Sequence, residues 1–211
     1  MVELEPVTPD AARLRRVYGC FPSGVTAVCA LDGDEPVGIA ASSFTSVSVD
    51  PALVSVCVQN TSSTWPRLRR VRRLGVSMLA QQQNQACRTL AIKTGDRFAD
   101  VEWTASADGA LFVHGAVAWL DCSLHREVPA GDHTIALLEI HALRAEPDRA
   151  PLVFHGSRFR QLVGELDIAL DLLEVALVEL GALPRHSVFE LVAAADNAGL
   201  HEVEFHPGPL L

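Results

Sequence analysis

Asp132 and His133 stand side by side in VPAGDHTIALLEI, residues 128–140, where a glycine turn opens directly into an apolar run. Gly131 suits the turn, and Asp132 suits it because its short carboxylate bonds to nearby backbone, but neither requirement asks for an imidazole. The imidazole is in excess of what the turn needs, and a carboxylate that reached the ring would set its tautomer. Neighbours on an extended segment point to opposite sides, so the two side chains meet only if the turn rotates them together.

Two other stretches could hold a ligand. AASSFTSVSVDP, residues 40–51, sets Ala40 and Ala41 beside the hydroxyls of Ser42, Ser43, Thr45 and Ser46, with Val47 following. Small side chains let a flat ligand approach the backbone and hydroxyls serve its polar rim, although a solvent-facing strand reads the same way. NTSSTWP, residues 60–66, places Ser62, Ser63 and Thr64 ahead of Trp65 and of Arg67, Arg69, Arg70, Arg72 and Arg73. Hydroxyls at a helix start serve either as an N-cap or as phosphate ligands, and the arginines form either a solvated helix face or a phosphate-attracting rim.

The chain contains no GxSxG, HExxH, GxGxxG or GxxxxGK[ST] pattern, so nucleophile-elbow, zinc-protease and mononucleotide-loop chemistries lack their signatures. The five cysteines are spaced widely without a CxxC pair, and the eight histidines are scattered, with His114, His125 and His141 in or beside strands. No metal site is expected, and the thiols read as buried and reduced. A reaction carried by a bound cofactor needs no such motif, because the protein then supplies positioning and electrostatics. A formal charge of -9 argues against a general nucleic-acid surface. No apolar run has the length of a membrane helix and the first residues lack a secretion pattern, so a cytoplasmic protein is expected, with no membrane partner.

These residues need a scaffold. At 211 residues and 49% hydrophobic the composition is globular. Short β-like runs bounded by turn residues extend from position 24 to about 143, among them GVTAVCAL, ALVSVCVQ, LGVSMLA, LFVHGAVAWLDCSL and TIALLEIHALR. This spacing predicts an antiparallel barrel or sandwich. Helices are predicted over residues 66–73 and 84–93. After residue 162, GELDIALDLLEVALVELGALP has helical periodicity and HSVFELVAAADNAG opens on a capping box, so a helical pair is expected to pack on the barrel or on a second subunit.

FPSGVTAV (21–28), GIAASSFTSVSVDPALVSVCV (38–58), SSTWP (62–66), GDRFADVEW (95–103), AGDHT (130–134) and PLVFHGSRFRQL (151–162) together resemble the flavin reductase family, the reductase partners of two-component flavin-dependent monooxygenases. The resemblance implies a mainly β fold with helices, a homodimeric split β-barrel of Greek-key type; the flavin-binding domain is taken as residues 1–163, and residues 164–211, longer than the family pattern, are the helical extension read from periodicity. It implies FAD or FMN as flavin and NADH or NADPH as reductant. By the same resemblance the isoalloxazine lies against Ala40, Ala41, Ser42, Ser43, Ser46 and Val47. The phosphate is held near Ser62, Ser63, Thr64 and Trp65 and near a later segment containing Ala80, Gln83 and Arg88. Gly131, Asp132 and His133, with Arg97 and Phe98, lie beside the nicotinamide, which makes His133 the candidate catalytic residue. Relatives commonly read T-A-N-S-F where this chain has Ala40 to Phe44, and F-x-V-N-V-L where it has Ser77 in the asparagine position; Phe159 replaces a closing tyrosine.

The leading expectation is hydride transfer from nicotinamide C4 to flavin N5, after which reduced flavin leaves for a separate monooxygenase. The alternative is a non-catalytic flavin- or haem-binding protein of the same fold, motivated by the departures at Ala40, Ser42 and Ser77. The helical tail either packs within the homodimer or docks the monooxygenase.

Overall fold

The computed structural model describes residues 2, 4–7 and 10–162; the expected helical pair lies outside them. Helix α1 (Ala11–Tyr18), capped by the Asp10 carboxylate on two backbone N–H groups, precedes the strands and was not expected from the sequence. The strands are β1 (Ser23–Gly24), β2 (Thr26–Asp32), β3 (Glu35–Ala41), β4 (Thr45–Val49), β5 (Ala52–Gln59), β6 (Leu74–Met78), β7 (Trp103–Ala105), β8 (Leu111–Val113), β9 (Ala118–Ala130), β10 (His133–Ala145), β11 (Val153–His155) and β12 (Arg158–Arg160). Helices α2 (Trp65–Leu68) and α3 (Asn84–Leu90) interrupt them.

Seven strands form one antiparallel sheet in the order β3-β2-β6-β9-β10-β5-β4. Strands β2 and β6 are buried on both faces, and alternation on β2 sends Val28 and Ala30 into one core and Ala27 and Cys29 into another. The first core gathers Val54, Val56, Leu68, Leu74, Val76, Ala136 and Leu138; the second lies under α3, β7 and β8 and includes Leu90, Phe98, Leu111 and Leu152. Gly75 on β6 is what lets β8 cross, since a Cβ there would fall 2.1 Å from the Leu111 carbonyl oxygen.

The β2–β3 and β9–β10 hairpins both turn on Gly-Asp. Gly33 and Gly131 have φ of +67° and +66° while the following aspartates do not have positive φ, the pattern of a type II′ turn, whose first central position favours glycine. The long β9–β10 ribbon carries two register shifts, and the residues left without a partner there are His125 and His141. His125 approaches Glu139 and His141 bonds Ser123, so both serve the ribbon and lie away from the Gly131 turn.

The two ends of the sheet, β3 and β4, do not pair with each other, so the barrel is split. The split between β3 and β5 is crossed by Ser43, whose hydroxyl donates to the Cys57 carbonyl at 3.1 Å and accepts from the Cys57 N–H at 2.9 Å.

The predicted helix over 66–73 is shorter than expected, because the arginines beyond Leu68 are drawn to acids on other elements. Arg67 bonds Asp32 at 2.6 Å and grips Glu35 with both terminal nitrogens; Arg69 pairs with Glu127, Arg72 with Asp108, and Arg73 lies 3.7 Å from Asp121. Four of the five side chains expected as a phosphate rim or helix face are therefore neutralised locally. Among the described residues no helix is long and apolar enough to cross a membrane.

Candidate functional site

A groove of about 690 Å³ runs along the split. One wall is the free edge of β3 and the chain leaving it, Ile39 to Ser43; the facing wall is Cys57, Val58 and Gln59 at the end of β5, with Thr61, Ser62 and Ser63 beyond. Leu90, Ala91, Lys93 and Arg97 complete one end, and His133 stands at the other side. The sequence residues brought together here are Ala40, Ala41, Ser42, Ser43, Ser62, Ser63, Arg97 and His133.

His133 reaches the groove because it is the first residue of β10 and pairs with Gln59, the last residue of β5. Its Nδ1 lies 2.7 Å from Asp132 Oδ1, so the turn does rotate the two together. The hydrogen bond to the imidazole, reinforced by its charge, holds the Asp132 carboxyl below its ordinary range. With Nδ1 donating to the carboxylate, Nε2 is the ring nitrogen left for a ligand. Asp132 itself is almost fully exposed, and neither it nor Gly131 lines the groove.

Arg97 ties two walls. Its Nη1 donates to the Gly38 carbonyl at 3.0 Å and to the Thr64 hydroxyl at 2.8 Å, fixing the β3 edge against the segment before α2. Thr64, Arg97 and Phe98 border a second hollow of about 400 Å³ that shares Ser63, Lys93 and Arg97 with the groove. Ser62 accepts from the Trp65 N–H at 3.1 Å, which is the capping alternative for that hydroxyl. Ser63 is exposed on both hollows. Arg88 stacks 5.1 Å from the Phe159 ring centroid and lines a third hollow, about 390 Å³, together with Ala40, Ala41 and Ser42.

Other expected ligand contacts sit elsewhere. Ser77 is completely buried, and its hydroxyl accepts from the Val113 N–H at 3.0 Å; that bond holds β8 to β6 and takes the hydroxyl out of reach of the groove. Trp65 is buried in the first core with Nε1 on Glu127. Ala80 is buried, and Gln83 accepts from the Ala80 N–H and donates to the His114 carbonyl. Ser46 and Val47 lie on β4 at a register shift, outside the groove lining. Phe98 packs edge-on against Trp103, 6.4 Å between centroids, in the second core.

Sequence reading missed Cys57, Gln59, Thr61 and Lys93 as lining residues. Lys93 has no acidic partner among the described residues and stands beside two hollows; a lone lysine after an apolar helix was its only signal. Among the described residues no cluster of three or more His, Cys, Asp or Glu side chains could hold a metal ion.

The groove has small residues on a free strand edge, aliphatic walls at Ile39, Val58 and Leu90, and cations at Lys93 and Arg97, with Arg88 in the adjoining hollow that shares Ala40, Ala41 and Ser42. That donor set fits a flat aromatic ring carrying phosphate. Residues 18–163 match the family model described as the flavin reductase like domain. The chain belongs to this family. It is 40% identical over 163 residues to an NADH-dependent FAD reductase of Streptomyces globisporus, covering 75% of this chain and 89% of that protein. It is 34% identical over 150 residues to the reductase subunit of a flavin-dependent monooxygenase from Rhodococcus jostii, covering 71% and 77%. Among solved structures, the Streptomyces globisporus NADH:FAD oxidoreductase in complex with NAD and FAD fragments superposes with a TM-score of 0.72 at 42% identity, over 78% of this chain and all of that one. The flavin reductase component of a bacterial two-component tryptophan halogenase gives 0.67 at 35% identity, over 72% and 98%.

Proposed function

We propose that this chain is an NADH-dependent flavin reductase that supplies reduced FAD or FMN to a separate flavin-dependent monooxygenase. The observation that carries the reading is the groove in the barrel split, where the small-residue edge of β3 faces His133. The bound ligands supply the chemistry themselves, hydride passing from nicotinamide C4 to flavin N5. The chain's part is to hold two planar molecules in one place, and orientation of that kind is worth about 7–11 kcal/mol without an acid or base.

Ala40, Ala41 and Ser42 leave room for a ring at the strand edge. Ser43 keeps the split at a fixed width. Lys93, Arg97 and Arg88 supply positive charge for phosphate, and His133, oriented by Asp132, offers Nε2 to the nicotinamide.

A homodimer is part of the proposal. It is supported by the outer edge of β4, which has no partner strand among the described residues and where Val49 is 94% exposed and Val47 half-exposed, an edge that soluble proteins usually cover. Five free cysteines suit a reducing cytoplasm. Steady-state NADH oxidation with FAD or FMN added tests the reading: turnover should require flavin, and flavin held so tightly that NADH cannot bleach it anaerobically would favour a carrier instead.

A further inference from the structure

Asn60 does not line the groove, yet three of its polar groups are committed to the turn that carries His133. Its backbone N–H donates to the Asp132 carbonyl at 3.0 Å, its Nδ2 donates to the Gly131 carbonyl at 3.1 Å, and its Oδ1 accepts from the Thr134 hydroxyl at 2.9 Å. The β5–β10 ladder ends at the Gln59–His133 pair. A two-residue hairpin tip beyond the end of a ladder frays unless something extends it. Asn60 does so, reaching 71 positions along the chain to Gly131 and 74 to Thr134.

The consequence for the ring is direct. Asp132 orients His133 through Nδ1, and Asp132 is itself held at its carbonyl by Asn60. Gly131, whose side supplies no anchor, is fixed by the same amide. We propose that Asn60, completed by the Thr134 hydroxyl, is the positioning residue that holds the Asp132–His133 pair at the groove and thereby sets affinity for the nicotinamide substrate. This rests on the nicotinamide role given to His133.

The test is a double-mutant cycle between Asn60→Ala and His133→Ala, read by separate titrations of NADH and flavin. Asn60→Ala removes two side-chain hydrogen bonds and keeps the backbone one, so the expected result is an NADH KM raised about tenfold. The flavin KM stays within about twofold, and kcat falls less than KM rises. Thr134→Val should move the NADH KM in the same direction by about threefold, and Thr134→Ser should restore it. The double variant should be no worse than His133→Ala alone, because Asn60 acts through the ring.

Additive effects, equal losses for NADH and flavin, or a wild-type NADH KM in Asn60→Ala while His133→Ala is impaired would overturn the inference and leave the reductase reading intact. If His133→Ala retains wild-type NADH kinetics, the role of the histidine falls and this inference falls with it. Loss of flavin-dependent NADH oxidation in the parent enzyme would instead overturn the reductase reading.

Discussion

Asp132 Oδ1 lies 2.7 Å from His133 Nδ1, although adjacent residues on a strand would face away from each other. They meet because Asp132 belongs to the turn while His133 opens β10, so the alternation that holds along a strand does not apply between them. The contact holds the Asp132 carboxyl below its ordinary range. A carboxylate with a depressed folded pKa adds stability above the unfolded value of about 3.9, and that contribution is lost as pH falls through the lower folded value. Asp132 is exposed, so the contribution is small. Carbon-detected titration should place the Asp132 midpoint below about 3.9, and the Tm difference between the parent and Asp132→Asn should narrow as pH drops below that value. A midpoint at or above it contradicts the pairing.

Much of the scaffold was legible. Short β-like runs bounded by turn residues marked β2, β5, β6, β8 and β10, because a strand that ends in a turn needs only local chemistry and a buried face. The arginine-rich segment was misjudged for the opposite reason: Arg69 and Arg72 pair with Glu127 and Asp108, and Arg73 lies near Asp121, and helical spacing carries no information about such distant partners. The face that Ser77 occupies was not legible because β6 is buried on both faces, so alternation cannot say which side meets a ligand. Asn60, Cys57 and Gln59 became visible only with the β5–β10 register, which sets residue 59 opposite 133.

Ser43 replaces a missing ladder across the split. Ser43→Ala removes both of its bonds to Cys57, each worth about 0.5–1.5 kcal/mol, and the exposure of Cys57 lets water recover part of this. Denaturant unfolding should show a loss of about 1–2 kcal/mol. The flavin KM should rise as the groove widens, and Ser43→Thr should retain most of both.

Lys93 lines the groove without an acidic partner among the described residues, and unlike Arg97 it is not tied to the Gly38 carbonyl and the Thr64 hydroxyl. Lys93→Glu should raise the flavin KM about tenfold at low salt, an effect that shrinks as ionic strength screens the phosphate. An NADH KM that rises while the flavin KM stays constant would assign the lysine to the other ligand.

Gly75→Ala tests the crossing of β8 over β6. A methyl group 2.1 Å from the Leu111 carbonyl oxygen forces one strand to move, and backbone cannot yield as a side-chain tip can. The expected loss is about 3 kcal/mol or more, measured by chemical denaturation. Gly24→Ala, where nothing lies within 4 Å, should be nearly neutral and serves as the control.

Thiol labelling maps the groove without relying on turnover. Burial pushes the Cys29 and Cys122 thiols up to about 12 and raises Cys87 as well, so their reactive thiolate is scarce near neutral pH. Cys20 and Cys57 are exposed, and Cys57 lines the groove while Cys20 does not. A chromogenic disulfide reagent should therefore modify Cys20 and Cys57 rapidly, and the Cys57→Ser variant should lose one fast equivalent. Saturating flavin should protect Cys57 and leave Cys20 at its original rate. Protection of neither thiol would move the flavin away from the split, because a ring seated between β3 and β5 must cover the Cys57 side chain.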